Sequence, residues 1–143
     1  MKNKKIITLE KLSDIVRKYK KRGKKVVLCH GVFDLLHLGH IKHFEEAKSC
    51  GDVLIVTVTE DKYVKKGPNR PIFSLLNRME ALSSLSIIDY VAANRWESAV
   101  ETIKTVKPNI YCKGPDYKDN SVDFTKKIKK EKNAVKSVGG KIQ

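Results

Sequence analysis

The chain is short of acid, cysteine, proline and aromatic residues, and each shortage narrows its class. Only 16 Asp and Glu stand against 30 Lys and Arg, giving a formal net charge of +14 over 143 residues. The three cysteines (Cys29, Cys50, Cys112) are odd in number and form no CxxC pair. That argues against a disulfide framework or a zinc ribbon and fits a reduced cytoplasm. Cys29 and Cys112 fall in apparent strands, where a free thiol packs as a small hydrophobe. No apolar run approaches the roughly 18 residues of a membrane helix. The start, Met1-Lys2-Asn3-Lys4-Lys5, is basic but no apolar core follows, so no export signal is expected. There is no repeat and no low-complexity linker, and the length is one domain's worth.

What the chain has in excess is lysine. Eleven Lys or Arg lie between Met1 and Lys25, and Lys126, Lys127, Lys129, Lys130, Lys132, Lys136 and Lys141 crowd the other end. Such clusters can be a nucleic-acid footprint. They can also be solvated helix faces that attract polyanionic substrates. No RRM signature, zinc-finger spacing or aromatic interleaving accompanies them, so neither a nucleic-acid nor a membrane partner is expected.

Leu9, Leu12, Ile15, Val16 and Tyr19 recur at helical spacing, predicting an amphipathic helix over residues 8–22 with Thr8 as N-cap and Gly23 as stop. This helix is set apart as an N-terminal unit, 1–24, ahead of a main domain, 25–143. Strands are predicted at 25–29, 53–58, 88–92 and 110–112, with a fifth beginning at Lys141. Helices are predicted from His40 to Gly51, after Ser74, over 96–106 and over 121–138. The alternation calls for a doubly wound, parallel five-stranded α/β sheet of Rossmann-like type. Ligands then sit beyond the carboxyl ends of the strands.

The most informative run is Gly31-Val32-Phe33-Asp34-Leu35-Leu36-His37-Leu38-Gly39-His40. It places two histidines three apart where a strand hands over to a helix. Unpaired N–H groups at a helix N-terminus attract phosphate, and imidazoles at i and i+3 can face one anion. An imidazole can also carry a proton near neutral pH. Glycine inside a helix costs about 1 kcal/mol relative to alanine, so Gly39 suggests a close approach to the backbone there.

This run closely resembles the G-x-F-D-x-x-H-x-G-H signature of the cytidylyltransferase-like nucleotidyltransferases. Three further strings extend the resemblance: Ala47-Lys48-Ser49-Cys50-Gly51-Asp52, then Arg70-Pro71 with Asn77-Arg78-Met79, then Lys107 to Tyr117. The last, KPNIYCKGPDY, is most similar to the adenylyltransferase domains that make ADP-heptose from heptose 1-phosphate. Glycerol-3-phosphate cytidylyltransferases are the alternative. The resemblance implies transfer of AMP from ATP, or of CMP from CTP, to a phosphorylated sugar or polyol, with pyrophosphate released.

It also implies roles. His37 and His40 would hold the triphosphate and stabilise the transition state. Gly31, Val32, Phe33, Gly39, Lys113, Gly114 and Asp116 would border the nucleotide. Asp34 is either a residue that fixes the turn or a group near the incoming phosphate or a metal. Lys65 or Lys66 would reach a phosphate, and Arg78 is either a phosphate ligand or a helix-surface partner. Mg²⁺ would accompany the triphosphate, and a homodimer is the expected assembly. The family carries a further Ser/Thr-rich turn after the fifth strand. Its absence before Gln143 is expected of a piece cut from a longer protein, often a fusion to a sugar kinase, or of a chain lacking half of the nucleotide site.

Overall fold

The computed structural model describes residues 3–64, 69–113 and 122–143. Five parallel strands, β1 Val26–Gly31, β2 Val53–Thr59, β3 Tyr90–Asn94, β4 Ile110–Cys112 and β5 Lys141–Ile142, lie in the order β3-β2-β1-β4-β5. Ile6 adds a parallel bridge to Val91 at the outer edge. The expected doubly wound α/β sheet is therefore present. The chain runs outward from β1 to β3 and then returns to β4 on the other side of β1. The crevice between the carboxyl ends of β1 and β4 is thus the switch point.

The helices follow from patterning and caps. α1 Leu9–Lys21 is capped by the Thr8 hydroxyl, which accepts from Lys11 N, and buries Leu9, Leu12 and Val16. α2 is Leu38–Ser49, and α3 Leu75–Ser83 is capped by Ser74, which accepts from Asn77 N. α4 is Val100–Val106 and α5 is Val122–Ser137. One apolar layer joins α1, α4 and α5 to Val26, Leu28, Ile55 and Tyr111; the other joins α2 and α3 to Val27, Cys29, Leu54 and Val56. Successive strand residues alternate between the layers. That explains the near-continuous apolar runs of β1 and β2. Because α1 supplies three side chains to the first layer, it is part of the same core as the sheet.

Two predicted elements shift. The helix expected over 96–106 begins only at Val100. The Asn94 amide donates to the carbonyls of Trp96 and Ser98, and Thr102 donates back to Asn94, so these polar groups hold 95–99 as a turn. The strand expected at 88–92 runs over 90–94. Ile88 N still bonds Leu85 O, and the Asp89 carboxylate accepts from Leu54 N and pairs with Lys48. At the end of α4, Lys107 takes φ +56°, and Pro108 follows it.

Candidate active site

β1 delivers the glycine-led run to the switch point, and the backbone turns sharply there. Phe33 adopts φ +52°, a left-handed conformation rare for a bulky side chain. Its ring folds back over Gly31, where an added Cβ would lie 2.9 Å from Phe33 Cζ. The same ring meets Phe44 at 5.2 Å and His40 edge-on at 5.8 Å between centroids. The strain at Phe33 therefore packs an aromatic wall beneath the second histidine.

His37 is the N-cap of α2, and the two imidazoles lie 4.1 Å apart between centroids. Gly39 N donates to His37 Nδ1 at 3.0 Å, and His37 N donates to His40 Nδ1 at 3.2 Å. Both Nδ1 atoms thus accept, so each neutral ring carries its proton on Nε2. Each ring thus holds its Nε2–H at the N-terminus of α2. The close approach that Gly39 permits is that of His37 itself, since an added Cβ would lie 2.7 Å from His37 Cε1. The helix amides are also less open than the sequence suggests. Gly39 N bonds the His37 ring, while His40 N and Ile41 N bond His37 O.

Asp34 is buried, and its two carboxylate oxygens accept from Ile72 N at 2.7 Å and Phe73 N at 2.8 Å, with Arg70 at 3.4 Å. Burial raises its pKa, but the amides of Phe73 and Ile72 and the Arg70 guanidinium outweigh it and hold the carboxyl below its ordinary value. Of the two readings of Asp34, this geometry favours the turn-fixing one.

Arg78 differs more from expectation. It is no surface partner, being 1 % exposed. Its Nε donates to Phe73 O, Nη1 to Val32 O and Thr59 O, and Nη2 to Asp61 Oδ1 at 2.5 Å. Most of its donors serve the protein. The side chain is an internal brace that ties the loop after β1 to the end of β2 and the start of α3.

Lys113 leaves β4 beside the switch point, where its ammonium pairs with Glu131 of α5 and lies 5.0 Å from the Tyr111 ring centre. Lys65, Lys66, Gly114 and Asp116 lie outside the described residues. Sequence reasoning passed over His30 and Glu131. His30 is the penultimate residue of β1, with Nδ1 at 3.1 Å from Thr57 Oγ1 and Nε2 at 3.4 Å from Thr59 Oγ1. Glu131 had a legible signal, as an acid on the same helical stripe as Ala134, Val135 and Val138 in a lysine-rich helix.

Among the described residues no group of three or more His, Cys, Asp or Glu could hold a metal ion. With the Asp34 oxygens engaged by amides, these residues build no protein cage for Mg²⁺. An ion arriving with a triphosphate would be held chiefly by phosphate oxygens and water. Nor is any helix among them long and apolar enough to cross a membrane.

The bifunctional protein HldE of Nitratiruptor sp. is 44 % identical over 125 residues, covering 84 % of this chain and 27 % of the relative. That of Aliarcobacter butzleri is 42 % identical, covering 97 % of this chain and 29 % of the relative. The chain thus spans under a third of the length of these curated relatives. A lipopolysaccharide core biosynthesis protein from Thermoplasma volcanium superposes with a TM-score of 0.67 at 29 % identity, covering 85 % of this chain and 93 % of that one. A pantoate-β-alanine ligase from Francisella tularensis has a TM-score of 0.64 at 20 % identity, covering 96 % and 65 %, and shares the fold. The cytidylyltransferase-like family model matches residues 28–143, which include the histidine pair, the Arg78 brace and β4, and the chain belongs to the cytidylyltransferase-like family.

Proposed function

We propose that this chain is a nucleotidyltransferase domain that transfers AMP from ATP to a heptose 1-phosphate-like sugar phosphate and releases pyrophosphate. An acceptor phosphate oxygen would attack the α-phosphorus while the bond to the pyrophosphate oxygen breaks. The observation that carries the reading is the histidine pair at the switch point, set 4.1 Å apart between ring centroids at a helix N-terminus with both Nδ1 atoms bonded to backbone N–H groups. Their Nε2–H groups would neutralise charge on the phosphates as the leaving group departs. Catalysis would then rest on positioning and hydrogen bonding, with no covalent intermediate.

The names and lengths of the curated relatives support a place beside a second activity in a longer protein, a sugar kinase on this reading. The three cysteines, all free, fit a reducing compartment. A homodimer is the proposed assembly. Leu35, Leu38, Ile72, Phe73 and Leu76 are exposed apolar side chains and offer surface for it. A monomer mass in sedimentation would refute it.

The test of function is pyrophosphate release with Mg²⁺, crossing ATP and CTP against heptose 1-phosphate and glycerol 3-phosphate. The expected result is turnover with ATP and the heptose phosphate, lowered about 10²–10³-fold by His40→Ala. Turnover only with CTP and glycerol 3-phosphate would move the assignment to that pair. Activity unaffected by His40→Ala would remove the histidines from the chemistry.

A further inference from the structure

Glu131 is 2 % exposed, yet it carries a carboxylate into the layer between α5 and the sheet. Its contacts tie α5 to the end of β4 and to the turn before α4. Oε1 accepts from the Lys113 ammonium and from the Tyr111 hydroxyl at 3.2 Å. Oε2 accepts from Ala99 N at 3.1 Å. A buried ion pair contributes little net stability compared with apolar residues of the same volume, because desolvation offsets the attraction. The carboxylate also satisfies Ala99 N and the Tyr111 hydroxyl, which a leucine would leave unpaired, but neither bond requires a cation at 113.

The position of the pair suggests what it does. Leu28 and Tyr111 are register partners on β1 and β4 and face the same layer. Two residues further along these strands stand His30 and Lys113, on that same face by strand alternation. Lys113 is therefore at the carboxyl edge between β1 and β4, and Gln143 O, just past β5, accepts its backbone N–H at 3.1 Å. It is also the last residue before the 114–121 segment, and α5, which bears Glu131, begins directly after that segment. The ion pair ties Lys113 to the middle of α5.

We infer that Glu131 is a positioning residue that holds Lys113 in a fixed orientation at the switch point and so sets the affinity of this site for its nucleoside triphosphate. This inference rests on the nucleotidyltransferase reading. Glu131 touches no substrate and acts through Lys113. Contacts to a bound nucleotide that are equal in ground and transition states change KM and leave kcat in place.

The experiment is a double-mutant cycle on the full chain with Glu131→Gln, Lys113→Met and the double variant. ATP and CTP dissociation constants are read by calorimetry, with thermal melts alongside. Glu131→Gln is expected to weaken nucleotide binding about tenfold, and the double variant to bind no more weakly than Lys113→Met. In the turnover assay the loss is expected in KM, with kcat within about twofold. If Glu131→Gln does not fold, Glu131→Asp serves in its place. That substitution keeps the carboxylate but shortens its reach to Lys113, and nucleotide affinity is expected to fall several-fold, with no further fall when it is added to Lys113→Met. Unchanged affinity in Glu131→Gln, or additive losses in the cycle, would overturn the inference. Unchanged affinity in Glu131→Asp would do the same. A parent chain that binds neither ATP nor CTP would instead overturn the nucleotidyltransferase reading, and this inference with it.

Discussion

At the scale of single residues, Gly39 separates stability from function. Its missing Cβ leaves room for the His37 ring, which caps α2 through Gly39 N. In Gly39→Ala the ring must swing away, because the nearest approach would be 2.7 Å. Loss of the cap costs about 1 kcal/mol, and the better helix propensity of alanine returns about the same amount. The melting temperature is therefore expected to change little, while pyrophosphate release falls at least about tenfold through loss of the Nε2–H donor. A parallel fall in both would mean that the glycine serves the fold. Arg78 presents the opposite case. Arg78→Met leaves the carbonyls of Val32, Thr59 and Phe73 without their guanidinium donor and the Asp61 carboxylate without its partner. Denaturant unfolding is expected to show a loss of about 3–5 kcal/mol, chiefly from the three carbonyls, since the Asp61 side chain is half exposed. The sequence could not separate these cases. Spacing places Arg78 on a helix, but its burial depends on how the end of β2 and the loop after β1 meet over it.

At the scale of elements, the turn at 70–74 depends on one side chain from a different part of the chain. Asp34 accepts the N–H groups of Ile72 and Phe73 and thereby orients the start of α3, from which Arg78 reaches back to Val32. Its folded pKa lies below its unfolded value, with the amides and Arg70 outweighing burial. The unfolded chain therefore takes up the proton first as pH falls. The stability from this contact is present above the ordinary aspartate value of about 3.9 and is lost as pH drops through the folded one. Asp34→Asn keeps one acceptor for two N–H groups and is expected to cost about 1–3 kcal/mol near neutral pH. Urea midpoints followed from about pH 6 to about pH 3 should fall less steeply in Asp34→Asn than in the parent. Matching slopes would show that Asp34 does not supply the acid sensitivity. The elements themselves were largely legible: Thr8 and Ser74 cap where they were expected to, and apolar runs mark β1 and β2. The start of α4 was not, because Asn94 and Thr102 hold the preceding turn by side-chain bonds that periodicity does not register.

At the scale of the whole molecule, strand alternation foretold a parallel sheet, and the family signature singled out the histidine pair that opens α2 after β1. Neither indicated how the surplus of positive charge acts. With 30 cationic against 16 acidic side chains, the molecule carries a field that any triphosphate approaching the switch point must cross. Much of that charge lies on α1 and α5, which cover the face opposite α2 and α3. Any effect of these lysines on the histidine pair is exerted through space and is screened over about 10 Å at 0.1 M salt. Contacts within the site are shielded far less. If the surplus steers a polyanionic substrate, raising NaCl from about 50 to about 300 mM should raise KM for the nucleotide several-fold and leave kcat in place. If instead the lysines are only solvated faces, both constants should stay level over that range. A fall in kcat alone would point to a salt-sensitive contact inside the site, with the histidine pair the first to examine.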